Sequence, residues 1–125
     1  MLFAERDGVI AAAEEHKLPV FGMMVDQKDQ APKYVVSSLV WNMQPTIEAV
    51  VSQVKDGSYK AQNLAEYSFM KNGGSSLAPI NTETAFEIPA ELISTVEERE
   101  AAIKDGSFTT PVNEDEPAGS TTVGK

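Results

Sequence analysis

Two short polar clusters, each at the end of an apolar run, hold the residues of this chain that could do chemistry. Val20-Phe21-Gly22-Met23-Met24-Val25 runs into Asp26, with Asp29 close behind it. Tyr34 to Val40, with β-branched Val35, Val36 and Val40 around Ser37 and Ser38, runs into Trp41-Asn42. A carboxylate at a strand end can accept hydrogen bonds from the hydroxyls of a sugar or nucleoside. A tryptophan beside an amide can stack on a ring, and it can equally be a core filler. The two acids likewise have a plainer reading as part of a solvated loop. They do not make a calcium loop, which needs acids at alternate positions and a closing Glu, where Lys28 intrudes.

No other cluster assembles into a reaction site. Glu14, Glu15 and His16 are neighbours on a helix and point in different directions. Glu97, Glu98 and Glu100 read as the wet face of the last helix. Ser37 and Ser38 lack a glycine-flanked elbow and a histidine partner. Gly73-Gly74 precedes no helix start, so it reads as a hairpin turn and not a phosphate cradle. The expectation is a protein with no catalytic residue, no cofactor and no metal site. An acid–base pair from Asp26 and Asp29 ranks last among the alternatives.

Composition narrows the partners. The chain has 125 residues and a formal net charge of −9, with no Lys/Arg cluster to offset that field, which argues against nucleic acid or anionic lipid. It has no cysteine and one histidine, which removes disulfides, thiol chemistry and His-rich metal clusters. No apolar run is long enough to span a bilayer, so no direct membrane insertion is expected. The first residues, MLFAERDGVI, turn charged by Glu5 and do not read as an export signal.

The elements that must position these residues follow from periodicity and punctuation. Asp7 is placed to cap a helix from Gly8 to Lys17 with Ile10, Ala12 and Ala13 inward, ended by Pro19. Val20–Val25 predicts a strand buried on both faces, and Tyr34–Val40 a second strand after a polar loop. Pro45 opens a helix whose Ile47, Val50, Val51 and Val54 form one stripe, stopped by Gly57. Pro89 opens another, with Leu92, Val96 and Ile103 inward, stopped by Gly106. Both end alike, as Lys55-Asp56-Gly57-Ser58 and Lys104-Asp105-Gly106-Ser107, which predicts the same left-handed glycine cap twice. Leu64–Met70 and Ser75–Ile80 predict short strands around Lys71-Asn72-Gly73-Gly74, giving the order α-β-β-α-β-β-α. The tail 113–125 is acidic, almost without apolar side chains, and is expected to be disordered.

In their order and spacing, several of these motifs resemble a known family. Phe21-Gly22, Val25-Asp26, Asp29-Gln30 and Ala31-Pro32 resemble a segment of the basic membrane protein (BMP) family. These are substrate-binding lipoproteins of ABC transporters, purine nucleoside receptors among them. Val36 to Asn42 is similar to that family's next strand, in the branch with Trp where others carry Lys. Lys55-Asp56-Gly57, Met70 to Gly74 with Leu77-Ala78-Pro79, Ile88-Pro89 and Ile103 to Gly106 continue the likeness, which covers about residues 3 to 112.

The resemblance implies an α/β chain: a partial type I periplasmic-binding-protein fold with Rossmann-like lobes, truncated at its N-terminus. It implies residues 1–112 as the C-terminal portion of such a receptor, with a crossover between lobes near 30–34. A nucleoside or similar small polar solute would be the ligand, an ABC permease the partner, and a missing N-terminal lobe the other wall of the cleft. Asp26 would accept ribose hydroxyls, Ser38, Trp41 and Asn42 would line the cleft, and Phe3 would stack on the base. By family the compartment is extracytoplasmic. Because neither an export signal nor a lipobox cysteine is present, the alternatives are a cytoplasmic ligand-sensing or regulatory module and a truncated remnant without binding activity.

Overall fold

The computed structural model describes residues 5–110, with Arg6 described by its backbone alone. Phe3, the Met1–Ala4 stub and the tail 113–125 lie outside the described residues. The elements are α1 (Arg6–Glu15), β1 (Val20–Met24), β2 (Val35–Trp41), α2 (Gln44–Asp56), β3 (Ser75–Leu77) and α3 (Ala90–Asp105). They build an α/β unit around a mixed three-stranded sheet of order β1-β2-β3. β1 and β2 are parallel, with Gly22 opposite Ser38 and Met24 opposite Val40. β2 and β3 are antiparallel, with Leu39 opposite Leu77 and Trp41 opposite Ser75.

The connection between the parallel strands, residues 25–34, holds one short 3-10 turn and is too short for the usual crossover helix. The chain must therefore turn back sharply at the end of β1 and pass close over the sheet. Met24 makes the turn with a φ of 79°, a left-handed conformation that costs a non-glycine residue on the order of 1 kcal/mol. Gln27 then lies against β1 at Gly22, where a Cβ would collide with the Ser38 hydroxyl and sit 3.1 Å from the Gln27 Cβ. Glycine inside an apolar strand is explained by this approach of one segment to another's backbone.

The register of β1 on β2 shifts between Val20 and Phe21, where β2 carries one extra residue. Such a bulge re-phases the alternation of side chains, and Val35 and Ser38 both come to lie under the crossover and α1. There Ile10, Ala31 and Val35 form the core, with Val20 and Tyr34 packed against it. The chain beyond β3 continues along β2: Ala78 N donates to Ser38 O, Asn81 N to Val36 O, and Ala85 N to Lys33 O, at 2.8, 2.8 and 2.9 Å. The Tyr34 and Phe86 rings meet edge to face, 6.1 Å apart, across the same seam.

Several expectations are corrected. Leu64–Met70 is not a strand: it folds as 3-10 turns at Ala65–Ser68 and Met70–Asn72. Its polar side chains bond to nearby backbone, with Ala65 N donating to Asn63 Oδ1, Ser68 Oγ to Ala65 O and Asn72 Nδ2 to Glu66 O, and local bonds of this kind compete with a strand ladder. β1 is not covered on both faces, since Phe21 is 67 % exposed. α1 starts at Arg6, so Asp7 lies in its first turn and not before it, and Ala12 faces out while Ile10 and Ala13 are buried. On α3, Leu92 is exposed and no residue is fully buried.

The helix ends match the reading closely. Gly57 and Gly106 cap α2 and α3 at φ of 75° and 81°. In each case the preceding aspartate accepts the amide two residues on, Ser58 N to Asp56 at 2.9 Å and Ser107 N to Asp105 at 2.7 Å. Hydrogen bonds from Ser58 and Ser107 hold these two carboxyls below the usual aspartate range.

Two outcomes follow. Gly22→Ala should lower stability in urea unfolding by about 1–3 kcal/mol through overpacking, whereas Gly8→Ala, with open space around its Cβ, should raise it by roughly 0.5–1 kcal/mol. Because the folded-state values of Asp56 and Asp105 lie below the ordinary 3.8, their caps contribute fully above that pH and fade as pH falls through the lowered values. Circular dichroism on acidification should show the helical signal of Asp56→Asn/Asp105→Asn losing less than that of the unaltered chain.

Candidate functional site

The parallel pairing of β1 and β2 sets their carboxyl ends at one edge of the sheet, the edge at which open α/β sheets take up small molecules. Asp26 stands two residues beyond β1, Trp41 is the last residue of β2, and Asn42 follows it. The structure thus brings three of the residues singled out in the sequence to a common edge. Asp26 is exposed, and one carboxylate oxygen accepts Lys28 N at 3.0 Å. Among the described residues its other oxygen has no donor, which leaves it to accept a hydroxyl. Trp41 is 47 % exposed and shares the edge with exposed Val25 and Met43.

Asn42 acts as a bracket. Its Nδ2 donates to Gly73 O and its Oδ1 accepts Gln44 N, both at 3.0 Å, while its own backbone N–H donates to Gly74 O at 2.9 Å. It fixes the start of α2 and the Gly73-Gly74 turn relative to the end of β2. Ser38 is placed elsewhere: it is fully buried, and its hydroxyl accepts Gln27 N at 3.1 Å. It holds the crossover down and lies away from the exposed strand-end edge. Ser37 is likewise buried and donates to Ala78 O at 2.8 Å. Both serines serve the sheet, and His16 sits exposed at the end of α1.

The residues that shape the site were not singled out in the sequence. Gln27 is 2 % exposed, and its Oε1 accepts Met23 N at 2.8 Å while its Nε2 reaches Gln30 Oε1 at 3.3 Å and Asp7 Oδ1 at 3.5 Å. Gln30 Nε2 also donates to Asp7 Oδ1, at 3.2 Å, so α1 is tied to the crossover. Asn81, only 3 % exposed, donates from Nδ2 to Pro32 O and Val35 O at 2.7 and 2.9 Å, and its Oδ1 accepts Glu83 N at 3.1 Å. Lys28 and Glu83 add an ion pair at 2.9 Å, which raises the lysine above its usual range and lowers the glutamate. The isolated glycine in Val20-Phe21-Gly22-Met23 was the one sequence signal for this packing; nothing local marks Gln27 or Asn81.

No three His, Asp or Glu side chains among the described residues converge as metal ligands. No helix among them is long and apolar enough to cross a membrane.

Comparison with protein-family models and with curated proteins finds no match. Solved structures do match. A transcriptional activator of the comK gene from Bacillus halodurans superposes with a TM-score of 0.60 at 18% identity, over 83% of this chain and 35% of its own. An ABC transporter solute-binding protein from Conexibacter woesei superposes with a TM-score of 0.51 at 18% identity, over 86% of this chain and 34% of its own. At such identity the likeness concerns the fold: the α/β arrangement is that of part of a periplasmic-binding-protein fold. The chain spans about a third of the length of each of these structures.

The division between shaping and facing residues is measurable. Ser38→Ala strands the buried Gln27 N–H and should cost about 1–3 kcal/mol in urea unfolding. Asp26→Asn keeps an acceptor for Lys28 N at an exposed position and should change stability by less than about 0.5 kcal/mol.

Proposed function

We propose that this chain forms part of the solute-binding component of an ABC transporter of the BMP type, with a nucleoside or similar small polar molecule as ligand and no catalytic step. The observation that carries this is the shared edge: a carboxylate with a free acceptor oxygen, a half-exposed tryptophan and an amide stand at the carboxyl ends of two parallel strands. In this reading Asp26 accepts the ligand's hydroxyls, Trp41 stacks against its ring and Asn42 offers the remaining hydrogen of its amide. The fold shared with a solute-binding protein supports it. So does the motif order from Phe21-Gly22 to Ile103-Lys104-Asp105-Gly106. An ABC permease is the partner, and the compartment is extracytoplasmic.

A second reading has its own support. The structural neighbour with a TM-score of 0.60 is a transcriptional activator, and the same edge can serve a ligand-sensing module inside the cell.

Trp41 is the sole tryptophan, so its emission reports on the site directly. Titration with purine nucleosides should quench it with a Kd in about the millimolar range, weak because this chain supplies one wall of the cleft. Asp26→Ala should weaken that response about tenfold, and free amino acids should give none. Silence with every nucleoside, or an equal response from Asp26→Ala, counts against the ligand assignment. An alkaline phosphatase fusion in the native host separates the two readings: activity supports the transporter component, and inactivity supports the cytoplasmic sensor.

A further inference from the structure

Asn72 is followed by Gly73, whereas Asn42, Asn63 and Asn81 are followed by Met43, Leu64 and Thr82. A glycine in that place has no Cβ to shield its amide nitrogen, which can then approach the asparagine side-chain carbon. The fold itself asks for the glycine, because Gly73 ends the 3-10 turn Met70–Asn72 with a φ of 76°. Both residues are exposed. Two hydrogen bonds hold them, Asn72 Nδ2 to Glu66 O at 2.7 Å and Gly73 N to Met70 O at 3.0 Å. A single 3-10 turn has poor hydrogen-bond geometry, and an exposed one opens locally at little cost. The next links lead to the strand end. Gly73 O accepts Asn42 Nδ2 at 3.0 Å, and Gly74 O accepts Asn42 N at 2.9 Å. Gly74 is buried so closely that a Cβ on it would collide with Tyr67 O and Ser68 Cα. The turn therefore has no slack to absorb a longer main chain.

We propose that Asn72 is a site of spontaneous deamidation, and that its conversion releases the bracket holding Asn42 and the Trp41 end of β2. When the turn opens, the Gly73 nitrogen attacks Asn72 Cγ. The bond from Cγ to Nδ2 breaks, and ammonia leaves with the proton given up by the Gly73 nitrogen. Water then opens the cyclic imide at either carbonyl, giving aspartate or isoaspartate. Neither product can donate to Glu66 O as the Asn72 amide does. Isoaspartate also carries its former side-chain carbon in the main chain, so Gly73 O and Gly74 O no longer both reach Asn42. Asp56 and Asp105, which also precede glycines, do not compete: hydrogen bonds from Ser58 and Ser107 favour their ionised form, which offers no leaving group. The proposal does not depend on the solute-binding reading, since its only co-reactant is water and its effect needs no ligand.

The test is to age the full chain for weeks at physiological temperature and pH, then digest it with trypsin and weigh the peptides. The peptide from Asn72 to Arg99 also holds Asn81, and that from Ala61 to Lys71 holds Asn63, so both carry internal controls. Asn72 should convert about tenfold faster than Asn63 or Asn81, or more, and the isoaspartyl form should be detected by isoaspartate-specific enzymatic methylation. In the intact chain, acrylamide quenching of Trp41, the sole tryptophan, should rise in step with the converted fraction. Asn72→Gln, whose longer side chain closes a ring far more slowly, should show neither change. Asn42→Ala, checked for retained helicity by circular dichroism, should be quenched from the outset as strongly as the converted chain and gain nothing on ageing. Conversion of Asn72 no faster than that of Asn63, or full conversion with Trp41 quenching unchanged, would overturn the proposal. So would an ageing response in Asn42→Ala as large as that of the unaltered chain.

Discussion

The close passage of the crossover over β1 at Gly22 is the constraint on which the rest of the arrangement depends. Two parallel strands are joined by a connection with no room for a helix, so the chain reverses at Met24 and runs back against the sheet. A segment buried in that way must satisfy its polar groups locally. Gln27 does so in both directions: its backbone N–H donates to the Ser38 hydroxyl, and its side-chain oxygen accepts Met23 N. The absence of a Cβ at Gly22 makes the space. With the crossover pinned, α1 is held through Asp7 and the 78–86 segment through Asn81 and Glu83. The carboxyl ends of β1 and β2 are thereby fixed side by side, which is what gives Asp26, Trp41 and Asn42 a common edge.

The opposite side of the sheet has a different character. Met23, Leu39 and Leu77 face one another across the three strands, and Phe21 and Trp41 follow on the same face by the two-residue alternation. Phe21, Trp41 and Leu77 are exposed there, as are Ile47, Val51 and Val54 along α2. The core formed by Ile10, Ala31 and Val35 is small beside this open apolar surface. Among the described residues these apolar side chains have little to cover them. The matched structures, whose chains are about two and a half times as long, use the same arrangement as one part of a larger fold.

Much of the fold was legible because its signals are local. Pro45 and Pro89 open helices, and the repeated Lys-Asp-Gly-Ser closes them with glycines at positive φ, because a cap is decided within one turn of chain. The two main strands were legible from β-branched and apolar runs. The 65–72 turns were not, since Asn63, Ser68 and Asn72 settle their conformation through side-chain bonds that composition does not announce. Burial was read least well: Leu92 and the α2 stripe follow a helical period yet face outward, because periodicity shows an amphipathic face and not what covers it. At the site, Asp26, Trp41 and Asn42 were legible as strand-end polar residues. Ser38 was misplaced because a hydroxyl in a strand gives no sign of whether it meets solvent or a returning loop. Gln27 and Asn81 act only on residues distant in sequence, so nothing in their neighbourhoods could have revealed them.

The central claim is that Gln27, seated on Gly22 and Ser38, fixes the crossover and through it the strand-end edge that bears Asp26, Trp41 and Asn42. Amide hydrogen exchange followed by NMR tests this at the two bonds concerned. The account predicts that the Met23 and Gln27 amides exchange as slowly as the paired amides of β2, and that Ser38→Ala releases Gln27 first. Exchange of both amides at the rate of an exposed loop, with β2 still protected, would contradict it.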